Sequence, residues 1–228
     1  MRAPLLTLLL LLPLASPAAE HHVQPDGLGD FPDIQKALDA AASGDAVVLH
    51  DGVYQGPGNR DLRPGDKIIT VRSLSGSAVD CILGFDGYPG FWQEDTRALI
   101  LEHLTLRGGA RAEGGAVHVW HGTINATGCH FLNNSGSGAG AIWAVNSSSN
   151  NFTDCLFSGN SGGDGALLFN VDFAIFEGCK FIDNGAGSSD YVIDILGGHL
   201  RLEDCVFRDN RSQWGTVKCH AATCWIDA

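Results

Sequence analysis

Short apolar runs alternate with Gly-, Ser- and Asn-rich breaks along most of the chain, and between Ile124 and Asn210 the alternation becomes a register. Each copy carries a Cys, a Phe two residues on, and an Asn three residues after that. The copies are Cys129, Phe131, Asn134; Cys155, Phe157, Asn160; Cys179, Phe181, Asn184; and Cys205, Phe207, Asn210. The cysteines stand 26, 24 and 26 residues apart. A fixed period of this size predicts stacked coils, because one coil alone cannot bury its apolar face. A second apolar run follows later in each repeat, at residues 116–119, 141–145, 166–169, 191–195 and 216–219. With parallel strands about 4.8 Å apart, equivalent residues stack on one another. Thiol, ring and amide form an inward ladder, and inward Asn can link coils by amide hydrogen bonds.

His103 lies 26 residues before Cys129 and is assigned the Cys position of an earlier coil, with Leu106 near the Phe position. On that register the third residue before the Cys is apolar (Ile100, Ala126, Phe152, Phe176, Leu202). The residue just before it is polar or Gly (Glu102, Gly128, Asp154, Gly178, Asp204), as a bend requires. Upstream, Pro32 in a first turn and Asp33 beside it predict a helix with Ile34, Leu38 and Ala41 on one stripe, stopped by Ser43-Gly44-Asp45. A single amphipathic helix ahead of a solenoid suits a lid over its open end. Residues 46–49, 53–54, 67–71 and 79–83 read as strands, and residues 85–96 as a loop projecting from the stack.

The first nineteen residues have the layout of a secretory signal peptide. Arg2 precedes an apolar run at residues 5–14, and Ser16-Pro17-Ala18-Ala19 offers cleavage after Ala18 or Ala19. Nothing later is apolar enough to cross a bilayer as a helix, so a secreted or cell-surface location is expected. Residues 20–228 are then one domain, with the cap at 23–45 and the coils at 46–228. The chain stops at Ala228 without an evident cap, which leaves three alternatives. Trp225 and a Cys219–Cys224 loop fold over the end, the chain is truncated there, or molecules associate end to end.

The formal net charge of −12 tells against nucleic acid and anionic membranes, and against a polyanionic ligand unless a cation bridges the two. Seven cysteines in an exported chain suggest disulfides. Four of them, however, share one repeat position where a small apolar side chain would stack. Cys219 and Cys224 can close a local loop and are the best pair, which leaves Cys81 single.

Gly29-Asp30-Phe31-Pro32-Asp33-Ile34-Gln35-Lys36-Ala37-Leu38, followed by 44–49 and Gly52-Val53-Tyr54, resembles the capping helix and first coil of the right-handed parallel β-helix superfamily, often called pectin-lyase-like. The Phe-x-x-Asn copies, with Gly114-Gly115-Ala116-Val117, Gly140-Ala141-Ile142 and Gly165-Ala166-Leu167, resemble the repeats of polymorphic outer-membrane proteins. The resemblance spans nearly the whole chain after the leader. It implies an all-β solenoid with an N-terminal capping helix; activity differs across that superfamily, which includes lyases, hydrolases, esterases and adhesins.

Lyases on such a scaffold use acidic residues around Ca²⁺ with a basic partner. Asp183 and Asp209 share one repeat position and Glu177 and Glu203 another, so these aspartates are candidate catalytic residues and Ca²⁺ ligands. Lys180, Arg201 and Arg208 can neutralise the same carboxylates, and solvated surface acids are the simpler reading. Residues 170–176 are similar to the Val-Asp-Phe-Ile-Phe motif of pectin methylesterases, which would make Asp172 a nucleophile. The second Asp, the Gln pair and the Arg-Gly segment of those enzymes are not in place, so a turn role is expected for Asp172. His118 and His121 lie three apart on a strand and point to opposite faces, which does not suit one metal. Tyr88, Phe91, Trp92 and Asp95 in the projecting loop are candidate sugar-binding residues. The reading is a non-catalytic module, without a required cofactor, that binds polysaccharide or a surface protein or builds surface structure. The alternative is a Ca²⁺-dependent lyase acting on acidic polysaccharide.

Overall fold

The computed structural model describes residues 18–94, 97–185, 191–220 and 222–227. The chain winds into a parallel β-helix of about eight turns. Three faces run along its length.

The first face carries β6 (Phe91–Glu94), β9 (Val117–Trp120) and the opening halves of β12 (Ala139–Thr153), β14 (Gly165–Glu177) and β16 (Tyr191–Glu203), then β18 (Val217–Cys219). The second face carries β1 (Glu20–Val23), β2 (Ala46–Leu49), β4 (Ile68–Ser73), β7 (Ala98–Glu102) and β10 (Ile124–Thr127). It continues through the closing halves of β12, β14 and β16 to β19 (Ala222–Asp227). The third face is a seven-stranded sheet of β3 (Gly52–Tyr54), β5 (Cys81–Gly84), β8 (Thr105–Arg107), β11 (His130–Leu132), β13 (Leu156–Ser158), β15 (Lys180–Ile182) and β17 (Val206–Arg208). α1 (Ile34–Ala40) buries Ile34, Ala37 and Leu38 in the core beside β1 and β2. Asp33 is its N-cap, accepting a hydrogen bond from the Lys36 N–H at 2.8 Å, so Pro32 stands before the helix rather than in its first turn.

The ladder is continuous. Asn134 Nδ2 donates to Asn160 Oδ1 at 3.0 Å, Asn160 Nδ2 to Asn184 Oδ1 at 3.1 Å, and Asn184 Nδ2 to Asn210 Oδ1 at 3.0 Å. Each of these oxygens also accepts the backbone N–H of the preceding Asn, and each amide nitrogen reaches a Phe or Leu carbonyl one coil back. A buried polar column is stable only when satisfied in this way. Phe131, Phe157, Phe181 and Phe207 stack at 4.9, 5.1 and 4.5 Å, with Phe152 and Phe176 meeting them edge-on from the second face.

One register differs from the expectation. Leu106 pairs with Phe131 and Thr105 with His130, so Leu104, not His103, stands at the cysteine position. Likewise Leu101, not Ile100, is in the inward column with Ala126. That coil is one residue shorter than the spacing to His103 implied. Pairing of Ile82 with Thr105 then places Cys81 on the same column, which runs Cys81, Leu104, Cys129, Cys155, Cys179, Cys205.

His103 belongs to the turn column instead. His103, Gly128, Asp154, Gly178 and Asp204 all have φ between 51° and 63°, the left-handed region. A Cβ at Gly128 would run into the His103 ring, and one at Gly178 into the Asp154 carboxylate. Small residues therefore alternate with side chains that fold over them.

Candidate functional site

Alternation along β6 decides which groups face solvent. Phe91 and Gln93 point inward, while Trp92 and Glu94 point outward. Residues 91–94 are thus a sheet strand paired with β9, not part of a projecting loop, and Phe91 is core, 1% exposed, rather than a ligand contact. Tyr88 is 49% exposed in the preceding turn, with the Arg60 guanidinium 3.4 Å from its ring centroid. Asp95 lies outside the described residues.

The parallel register aligns Trp92 with His118 and His118 with Trp143 on three successive coils. Their rings form one stack: Trp92 to His118 at 3.9 Å and 2°, His118 to Trp143 at 4.6 Å and 15°. Trp120, two residues beyond His118 on the same outward side, stacks on Trp143 at 5.6 Å. The Arg111 guanidinium covers Trp92, 3.4 Å from its centroid, and pairs with Asp61 at 3.9 Å and Glu113 at 3.6 Å. These rings, with Glu94 and Glu113, line an open groove of about 400 Å³. Trp120 is its most accessible ring, 38% exposed.

His118 is 4% exposed although it points outward, because two indoles enclose it. That desolvation holds its pKa below the ordinary imidazole value. Its Nδ1 lies 3.1 Å from the Glu113 carbonyl, which can only accept, so the proton sits on Nδ1. Nε2 is therefore a lone-pair acceptor, with no hydrogen-bond partner among the described residues. Sequence reasoning found Trp92, weighed His118 only as a metal ligand beside His121, and missed Trp120, Trp143, Glu94, Glu113 and Arg111. The 26- and 25-residue steps from Trp92 to His118 to Trp143 were the available signal.

The other candidates lie elsewhere. Asp183 and Asp209 follow β15 and β17 at equivalent turns, with φ of 53° and 57°, in a column with Gly108, Asn133 and Gly159 at 67°, 52° and 67°. The backbone explains their residue type, since Asp, Asn and Gly best tolerate that conformation. Asp172 is exposed within β14, at the register break between Asn170 and Phe173 where the first face passes into the second. The structure does not bring it to Asp183 or Asp209, which occupy a different corner. Glu177 and Glu203 pair across β14 and β16, and Arg201 forms an ion pair with Glu203. Among the described residues no group of three or more His, Cys, Asp or Glu side chains could hold a metal ion. Cys219 and Cys224 are joined by a disulfide, while Trp225 stands in β19, 52% exposed, stacked on His199 at 5.5 Å rather than folded over the end.

No curated protein matches the chain in sequence. Among solved structures it is similar to the pectin methylesterase from Aspergillus niger, with TM-score 0.53 and 14% identity over 94% of this chain and 84% of that one. It is also similar to the PL6 family alginate lyase AlyGC, with TM-score 0.50 and 11% identity over 91% of this chain and 40% of that one. Identities this low speak to the fold. A family model describing the right-handed β-helix region matches residues 63–213. With that match and parallel pairing between coils along the whole stack, the chain belongs to the right-handed β-helix family.

Proposed function

We propose that this chain is exported and binds a carbohydrate chain in the groove between Trp92, Trp120 and Trp143, holding it without cleaving it. The observation that carries the reading is the ring stack itself, with one accessible indole and two carboxylates beside it. Sugars present C–H faces to indoles and hydroxyls to carboxylates, and concave sites with a few polar groups are where ligands bind. Two fold neighbours are named for enzymes acting on pectin and alginate, which makes a glycan ligand a fold-level analogy in its favour. None of Asp172, Asp183 and Asp209 lines the groove, which supports holding over cleavage. In the same reading α1 is the lid of the first coil. Residues 1–19 hold the export leader, and cleavage after Ala18 would put the new ammonium where the Ala19 N–H now meets Asp45 Oδ1 at 2.8 Å.

Titration of intrinsic tryptophan fluorescence with a panel of neutral, amino and uronic oligosaccharides tests the site. At least one should shift the emission saturably, and Trp120→Ala should weaken it tenfold or more. A panel that leaves the emission unchanged would sink the reading. New reducing ends or unsaturated uronates, lost on adding EDTA, would replace it with the lyase alternative.

A further inference from the structure

Resting on that reading, we infer that the groove selects neutral glycans and that His118 reads them, its Nε2 accepting a hydrogen bond from a sugar hydroxyl. The charges around the groove are already matched. Glu113 pairs with Arg111 at 3.6 Å, and Arg111 pairs also with Asp61 at 3.9 Å while lying over Trp92. Glu94 is not free either. Among the described residues no Lys or Arg lines the groove. A uronate would leave its hydration for a site without a cation, and an ammonium would have to take Glu113 from Arg111. Neither exchange offsets the desolvation of a charge.

The open functions are neutral ones. Arg111 and His118 cover the faces of Trp92, and His118 and Trp120 those of Trp143, so ring edges turn to the groove. An aromatic edge is the positive part of the ring and suits a hydroxyl oxygen. His118 lines the groove between the two indoles, its Nδ1 proton given to the Glu113 carbonyl at 3.1 Å. Its Nε2 lone pair has no hydrogen-bond partner among the described residues. In so dry a place an acceptor gains most from a donor that brings no net charge to bury. A sugar hydroxyl is donor and acceptor together: it gives its proton to Nε2 and sets its oxygen against the neighbouring edges. Burial keeps His118 neutral, so the lone pair is there to be used.

Calorimetry with hexamers of β-linked glucose, mannose and xylose, a glucosamine hexamer with its amines protonated, and a uronic acid hexamer tests this. Nitrogen NMR of the imidazoles in isotope-labelled protein gives a second readout. At least one neutral hexamer should bind roughly tenfold or more tightly than both charged ones, and should shift the His118 Nε2 resonance saturably. His118→Phe keeps a flat ring between the indoles but has no lone pair, and should lose about tenfold in affinity for that hexamer. If that variant does not fold, the wild-type resonance decides. Equal or tighter binding of a charged hexamer overturns the inference but leaves the carbohydrate site standing. So does neutral binding that leaves the Nε2 resonance unmoved, or that persists in full in His118→Phe. Binding of none of the hexamers overturns the carbohydrate site as well.

Discussion

Asn160 has every polar atom of its side chain in use: Nδ2 reaches the Phe131 carbonyl and Asn184, and Oδ1 receives both the N–H and Nδ2 of Asn134. Truncation to Ala leaves several of these groups buried and unpaired, at about 1–3 kcal/mol for each that finds no water. Asn160→Ala should therefore lose about 3 kcal/mol in urea unfolding, more than a cavity of that size explains. The turn aspartates give the opposite result. Asp183 has φ of 53°, so Asp183→Gly should hold or raise the thermal midpoint, while Asp183→Val should cost about 1–2 kcal/mol. If calcium raises the midpoint of the wild type but not of Asp183→Gly, the residue is a ligand and not merely a turn former.

Three groups shape the acid response in two windows, His118 and His130 in the upper and Asp45 in the lower. His118 has a depressed pKa because it is desolvated, so the folded protein resists a proton that the unfolded chain takes up near pH 6.5. Its contribution is whole above that pH and declines as the pH falls below it. Asp45 is lowered to about 2, first by the Ala19 N–H, then by His21 and the Ala42 N–H. Its contribution is whole above about pH 4 and is lost as the pH falls through about 2. Thermal midpoints from pH 8 to 2 should fall in two steps. His118→Gln should shrink the upper step to the share that His130 contributes, and Asp45→Asn should flatten the lower.

At the scale of the element, the aromatic columns have two fates. Inside, Phe157 is sandwiched by Phe131 and Phe181 and touched edge-on by Phe152 and Phe176. Phe157→Ala should cost about 3–5 kcal/mol, read from the urea midpoint at unchanged slope. A loss below about 1 kcal/mol would mean that the ring column is dispensable. Outside, the same stacking along the coil axis turns the flat faces of Trp92, His118 and Trp143 toward one another. The groove therefore meets a ligand mostly through ring edges and through Trp120.

As a whole molecule the solenoid is quasi-one-dimensional: each coil touches its neighbours, and stability is a sum of coil and interface terms. The Cys219–Cys224 disulfide links β18 and β19, which both pair with β16 in the last described coil. A loop this short is worth about 2 kcal/mol, and its effect should stay local. Reduction should speed amide exchange in residues 217–227 and leave 98–132 unchanged; equal acceleration in both would refute a local role. Cys81, Cys129 and Cys179 should remain unreactive to thiol reagents in both states. Burial pushes Cys81 and Cys129 up to about 12, and hydrogen bonding with Cys155 does the same to Cys179.

The repeat was legible because each inward position has one demand that a residue type meets: Cys for a small apolar gap, Phe for a ring stack, Asn for a satisfied polar corner. Those demands recur every coil, so sequence by itself determined the solenoid, the inward ladder and the cysteines free to form a terminal disulfide. Coil length was less legible. One residue fewer between Leu104 and Cys129 moved His103 from the core column to the turn, and Cys81 into the cysteine column. The groove was decided by the tertiary structure, the spacing of its rings being the one trace of it in the sequence. Trp92, His118 and Trp143 lie 26 and 25 residues apart on strands whose outward positions carry no shared residue type, and only parallel pairing lays one ring on the next. Pairing also drew residues 91–94 out of an expected loop into the sheet, burying Phe91 and presenting Trp92, because a strand sends neighbouring side chains to opposite faces.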